Sequence, residues 1–209
     1  HPTHPKPYSL QGGFEENLID LTPEIKAEAK KIFDRYCAGP LFTPPCAEGS
    51  GTLMVPGVLG GVSWAGGAHN PNTGVLFIPE FTFPFGIKHK PLNKATSPFA
   101  ATGTWHGVSG PEGLPLFKPP FSTINAVDMN TGEYLWRVPA GKGPINHPAI
   151  KKAGLKAVGV PHQSFIAITD DIVFTSPNGD YDILGTNTRG NALIGQTKPE
   201  ADQTDPYLY

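Results

Sequence analysis

The stretch Ala126-Val127-Asp128-Met129-Asn130-Thr131-Gly132, followed by Glu133-Tyr134-Leu135-Trp136-Arg137-Val138-Pro139, decides how this chain is read. Asp128 and Asn130 carry side chains that hydrogen-bond their own backbone, and Gly132 tolerates a positive φ. The phrase therefore predicts a tight turn, and the β-prone runs on either side make it a hairpin. An earlier copy reads Ala68-His69-Asn70-Pro71-Asn72-Thr73-Gly74, followed by Val75-Leu76-Phe77-Ile78-Pro79, so both obey A-x-[ND]-x-N-T-G. Each copy predicts strand, turn, strand, ending in Trp or Phe. The copies begin 58 residues apart, about the span of one propeller blade plus an insertion, and repetition at that period points to a stacked or radial β architecture of consecutive wedges.

Composition agrees with a turn-rich β protein: 25 Gly and 24 Pro among 209 residues leave little room for long helices. A formal net charge of −2 gives no electrostatic footprint for nucleic acid or an anionic membrane surface. No apolar run approaches the roughly 18 residues of a membrane-spanning helix. His1-Pro2-Thr3-His4-Pro5-Lys6-Pro7 lacks the charged-then-apolar order of a signal peptide. A start at His is read as a processed product or a piece of a longer polypeptide, and the piece is the expectation. Cys37 and Cys46 bracket a short loop holding Gly39-Pro40 and Pro44-Pro45, which fits either a disulfide in an oxidising compartment or two buried thiols. The spacing is not that of covalent haem attachment, and two thiols alone make a poor zinc site.

One helix is expected, over residues 22–36. Thr22 is placed to cap it, Pro23 suits its first position, and Ile25, Ala29, Ile32, Phe33 and Tyr36 share a face at helical spacing. Residues 51–56 and 61–69 read as strands. Residues 80–120, rich in Pro, Gly and Phe without a clear period, read as a long loop that either shapes a substrate entrance or is a surface insertion. The second copy fills residues 123–139, a helical turn or two is expected within 148–154, and residues 164–169 and 172–176 form a strand pair around Asp170-Asp171. From Asn178 onward the polar, Gly-rich sequence shows no recognisable final strand.

Several phrases, in order, resemble the quinoprotein dehydrogenases that use pyrroloquinoline quinone (PQQ), especially their glucose dehydrogenase-like branch. They are Pro2-Thr3 through Asn17-Leu18-Ile19-Asp20-Leu21-Thr22-Pro23-Glu24, Gly39-Pro40-Leu41-Phe42-Thr43-Pro44-Pro45, Gly51-Thr52-Leu53-Met54-Val55-Pro56-Gly57, and Gly60-Gly61-Val62-Ser63-Trp64 with Gly66-Gly67-Ala68. Gly113-Leu114-Pro115-Leu116-Phe117-Lys118-Pro119-Pro120, the Asp128 to Trp136 hairpin, and Asn146-His147-Pro148 through Gly159-Val160-Pro161 continue the series. The resemblance implies an all-β fold, part of an eight-bladed β-propeller with one N-terminal helix and long loops, in which blades end in an Ala/Asp-x-x-x-Gly-x-x-x-Trp docking motif. Residues 1–209 would be part of a single propeller domain, incomplete at both ends. It further implies the quinone and a Ca²⁺ (a lanthanide in some relatives) near the axis, hydride transfer from a sugar or alcohol, an Asp as general base, and a quinone or cytochrome as electron acceptor. In family order the general base and the carboxylate metal ligands precede the segment matching His1. No catalytic base and no metal ligand is therefore assigned here; the remaining propeller polypeptide is the expected partner, and the chain alone is expected to be inactive. A periplasmic or secreted location, with or without membrane association, goes with that family.

Carried over residue by residue, the cofactor-binding candidates are Ser63, Trp64 and Gln163. Ser63 stands where the alcohol-oxidising branch has an Asn on the quinone and offers only one hydroxyl. Trp64 is either a ring stacked on the cofactor or a blade-packing aromatic, whereas Trp136 is a packing residue. Pro79 replaces an Asn beside the cofactor and has no donor, and Phe165 replaces a small residue after Gln163 and Ser164. His69, His106, His147 and His162 are too scattered to read as a metal cluster, and Asp170-Asp171 reads as a turn rather than an acid–base pair. These departures at Ser63, Pro79 and Phe165 motivate the alternative to a dehydrogenase segment, a non-catalytic β-propeller module for binding or assembly.

Overall fold

Local rules account for the elements of the computed structural model, which describes residues 4–62, 66–91, 99–100, 105–177, 183–187 and 193–197. Helix α1 (Pro23–Phe33) is capped as expected, the Thr22 Oγ1 accepting from the Ile25 N–H at 3.2 Å. It stops short of Tyr36, because Arg35 and Tyr36 donate three residues back, to the Ile32 and Phe33 carbonyls, and this tightens the last turn. Cys37 and Cys46 form a disulfide, with Cα atoms 6.2 Å apart, which closes the question their spacing left open.

In chain order the strands are β1 (Thr52–Met54), β2 (Ala68–Asn70), β3 (Val75–Phe81), β4 (Phe85–Ile87), β5 (Lys90–Pro91), β6 (Phe99–Ala100), β7 (Trp105–Gly107), β8 (Ser122–Asp128) and β9 (Tyr134–Pro139). After the short helix α2 (Pro148–Lys152) come β10 (Ser164–Ile168), β11 (Ile172–Pro177), β12 (Ile183–Asn187) and β13 (Leu193–Thr197). They build two four-stranded antiparallel meanders, ordered β2-β3-β8-β9 and β10-β11-β12-β13, beside a three-stranded sheet β1-β4-β7 and the pair β5-β6.

The turn chemistry is as read. Asn70 Oδ1 accepts from the Asn72 and Thr73 N–H groups at 2.9 and 3.2 Å, and Asp128 Oδ1 accepts from the Asn130 N–H at 2.8 Å. Gly74 and Gly132 close the two turns at φ 69° and 75°.

The relation between the copies differs from the expectation of consecutive wedges. Both hairpins belong to one sheet, because β8 pairs with β3 along its whole length, from Val75 opposite Asp128 to Phe81 opposite Ser122. The 58-residue spacing is thus an excursion inserted between the second and third strands of a single blade. That excursion is no plain loop, since it carries β4 to β7. The polar tail likewise holds β12 and β13; outer strands of a meander are fixed by backbone pairing, Ile172 opposite Asn187 for instance, and need no apolar signature.

The two meanders stack as neighbouring blades of a partial β-propeller. β10 lies against β2 and β3, Asn72 Nδ2 donates to Asp170 Oδ1 at 3.2 Å between their hairpin turns, and an apolar seam fills the wedge. The seam contains buried Phe77, Ala126 and Val173 with Val75, Trp136, Ile166 and Ile168 around them, the Trp136 ring centroid 5.7 Å from that of Phe77. Trp136 therefore packs, as assigned. A larger core under α1 gathers Leu18, Ile19, Ile25, Leu53, Leu116, Phe117 and Ile150.

Candidate functional site

Edge strands β2 and β10 of the neighbouring blades lie side by side, so the residues entering them are the place to look for a site. Ser63 and Trp64 lie outside the described residues. Gln163 directly precedes β10 and is 8% exposed, its N–H donating to His162 Nδ1 at 2.9 Å. Next to it, Ser164 Oγ is buried without a hydrogen-bond partner among the described residues. Gly61 and Val62, which lead toward Ser63, run along the end of β3: the Phe81 N–H donates to the Gly61 carbonyl and Val62 bridges Glu80. Of the three cofactor candidates, Gln163 is thus the one the described residues place, directly before β10.

Pro79 sits mid-strand at no cost to pairing. Phe81, two residues on, points its N–H away from β8 toward Gly61, and alternate residues share that direction, so the imide nitrogen of Pro79 also faces away from β8. Phe165 is 46% exposed and accepts, through its carbonyl, from Thr175 Oγ1. The histidines stay apart: His106 Nε2 is 2.9 Å from the Tyr36 hydroxyl, and His147 Nδ1 accepts from the Ala149 N–H at the start of α2. Among the described residues no group of three metal-ligating side chains converges.

Sequence reading missed the densest polar cluster. The Glu80 side chain is 1% exposed. Its Oε2 accepts from Thr123 Oγ1 and from Arg137 Nη2, both at 3.0 Å, and its Oε1 accepts from Thr82 Oγ1 at 3.1 Å. Arg137 Nε adds a bond to Thr123 Oγ1 at 3.1 Å, and Asn125 Nδ2 donates to the Ile78 carbonyl. Burial pushes the Glu80 carboxyl above its ordinary pKa, while Arg137 and the two threonine hydroxyls pull it back. The only sequence signal was an acid inside the apolar run Leu76 to Phe81; its partners lie 43 and 57 residues away along the chain.

The same cluster holds down the N-terminal segment. Arg137 Nη2 donates to the Tyr8 carbonyl at 2.7 Å, the Tyr134 hydroxyl to the Lys6 carbonyl at 2.8 Å, and His4 Nε2 lies 2.9 Å from Glu133 Oε1.

A buried amide and an unpartnered hydroxyl at one strand entry are the kind of polar surface that a quinone bearing carbonyls and carboxylates takes, so the described residues fit such a group. The family model described as the PQQ glucose/ethanol/alcohol dehydrogenase β-propeller domain matches residues 1–209. The quinate/shikimate dehydrogenase (quinone) of Acinetobacter baylyi is 29% identical over 218 residues, covering 93% of this chain and 27% of its own length. The quinoprotein glucose dehydrogenase of Escherichia coli is 27% identical over 196 residues, covering 81% and 24%. The glycerol dehydrogenase large subunit of Gluconobacter thailandicus is 24% identical over 198 residues, covering 80% and 27%. The chain spans about a quarter of the length of these relatives.

Proposed function

This chain belongs to the PQQ-dependent glucose/ethanol/alcohol dehydrogenase β-propeller family, and from that premise we propose that it is a segment of a dehydrogenase oxidising a sugar or alcohol by hydride transfer to pyrroloquinoline quinone. The observation that carries the reading is the stacking of two blades with edge strands β2 and β10 adjacent, in a chain whose whole length matches the family. The relatives named above act on quinate or shikimate, glucose, and glycerol, all hydroxylated small molecules, and a substrate of that class is inferred.

When bound, the quinone supplies the hydride acceptor. This chain's part is to hold it: Gln163, with Ser63 and Trp64 proposed from the sequence, would orient the ring and exclude water at the strand entries. The general base, the Ca²⁺ or lanthanide ligands and the rest of the hub are proposed to lie in the remaining propeller polypeptide, with a quinone or cytochrome taking the electrons onward. The Cys37–Cys46 disulfide supports a periplasmic or secreted location.

The test is reconstitution of the intact protein with the quinone and Ca²⁺, followed by dye-linked oxidation of a panel of sugars and alcohols. Activity is expected, with quinone affinity lowered about tenfold by Gln163→Leu, the weight of a lost hydrogen bond in a buried site. An intact protein with no quinone absorption band and no dye reduction would replace this reading with the non-catalytic propeller module.

A further inference from the structure

We propose that a cleft of about 400 Å³ beside the N-terminal segment is a binding site for a small oxyanion-bearing molecule, a carboxylate or a phosphate. Tyr8 from the segment, Asn17, Thr82, Lys118 and Arg137 form its working wall. In a chain of net charge −2, both charged groups among the described residues lining this cleft are cations, and no carboxylate lines it.

Each cation is pinned by an acid outside the cleft wall. Glu80, 1% exposed, holds Arg137, and Asp20 holds Lys118 at 2.8 Å. Arg137 uses Nε on Thr123 and Nη2 on Glu80 and Tyr8, so its Nη1 amino group takes no part in these bonds. The Lys118 ammonium has three N–H groups and one carboxylate partner. The result is a guanidinium fixed before any ligand arrives, with a second cation on the same wall, the arrangement that recognises oxyanions by charge-assisted hydrogen bonds. Fixing it in advance lowers the entropy cost of binding. The volume falls at the small end of the roughly 300–1,000 Å³ typical of ligand sites. Tyr8, held edge-to-face on Tyr134 at 5.6 Å, gives the wall an aromatic ring, and Asn17 an amide, suited to a hydroxylated body on the ligand.

The proposal is tested without the quinone. The intact protein, labelled with 3-fluorotyrosine, is titrated at low salt with inorganic phosphate, with D-gluconate, and with D-sorbitol as the uncharged polyol. A saturable shift of the Tyr8 fluorine resonance is expected with the anions and not with sorbitol. Tighter gluconate binding would assign a hydroxylated carboxylate, and tighter phosphate binding a phosphate compound. Lys118→Gln, a change at a half-exposed side chain, should raise the dissociation constant about tenfold. Arg137→Gln should do so by at least as much, but it also loosens the N-terminal segment, so Lys118→Gln is the deciding variant. No saturable shift with either anion, an equal response to sorbitol, or an unchanged constant in Lys118→Gln would each overturn the proposal.

Discussion

The sheet β2-β3-β8-β9 has two buried faces that obey opposite chemistries. On one face Phe77 pairs with Ala126 and Ala126 with Trp136, and this apolar ladder is covered by β10 and β11 of the next blade. On the other, Glu80 pairs with Thr123 and Asn125 with Arg137, and the polar ladder is covered by the N-terminal segment. In β8 the two alternate residue by residue, and Thr123 and Asn125, at 0% exposure, are as deeply buried as Ala126. A side-chain period of two lets one backbone serve both. The apolar face stabilises by removing area from water and by close packing, with no directional bonds to satisfy. The polar face holds only because its members satisfy one another, and it specifies one cover in one register.

The largest effect is expected on the apolar face. Phe77→Ala should cost about 3–5 kcal/mol, since a wedge between two sheets cannot collapse around the vacated ring. Chemical denaturation of the intact protein measures it, and Trp136→Ala should fall in the same range. A loss smaller than that of every substitution on the polar face would break the comparison.

The polar face separates charge from hydrogen bonding. Glu80→Ala strips Thr82, Thr123 and Arg137 of an acceptor and should cost about 2–3 kcal/mol, moderated because Arg137 can reach water. Glu80→Gln keeps a carbonyl acceptor, removes a buried charge, and should change stability by less than about 1 kcal/mol. A third measurement sharpens this contrast through pH. The folded Glu80 pKa lies above its unfolded value near 4.5, so the folded protein binds the proton more tightly. The stabilisation this gives is complete below that unfolded value and is lost as pH rises through the folded pKa. Wild type should therefore lose stability relative to Glu80→Gln across that window, and a difference that stays flat with pH would mean that Arg137 fully offsets burial.

How much of this was legible follows from the range of each signal. The turns at Asn70 and Asp128 and the cap at Thr22 rest on side chains acting within a few residues, and sequence exposed them. That both copies form one sheet was hidden, because the β3–β8 register spans the excursion that carries β4 to β7. The Glu80 cluster was hidden for the same reason, since no local pattern links an acid in β3 to an arginine 57 residues later. Of the candidate residues, Gln163 directly precedes β10, where the strand reading of residues 164–169 put it, while the unpartnered hydroxyl of Ser164 beside it had no signature at all.

Tyr134→Phe is the smallest expected effect and isolates the cover from the face it covers. The hydroxyl makes one bond, to the Lys6 carbonyl, and Lys6 is exposed enough for water to replace it, so the loss should be about 0.5–1 kcal/mol. Its pH dependence is diagnostic. Burial, and then the neighbouring Tyr8, push the Tyr134 hydroxyl up to about 12, above the ordinary 10.0. A raised folded pKa means that the contribution is whole below the unfolded value and disappears as pH climbs through the folded one. The stability gap between wild type and Tyr134→Phe should therefore be constant near neutrality and close between about pH 10 and 12, read by denaturation at each pH. A gap that closed with Glu80 instead, in the acid range, would mean that the N-terminal segment and the polar ladder open as one unit, and that the segment belongs to that face of the blade rather than resting on it.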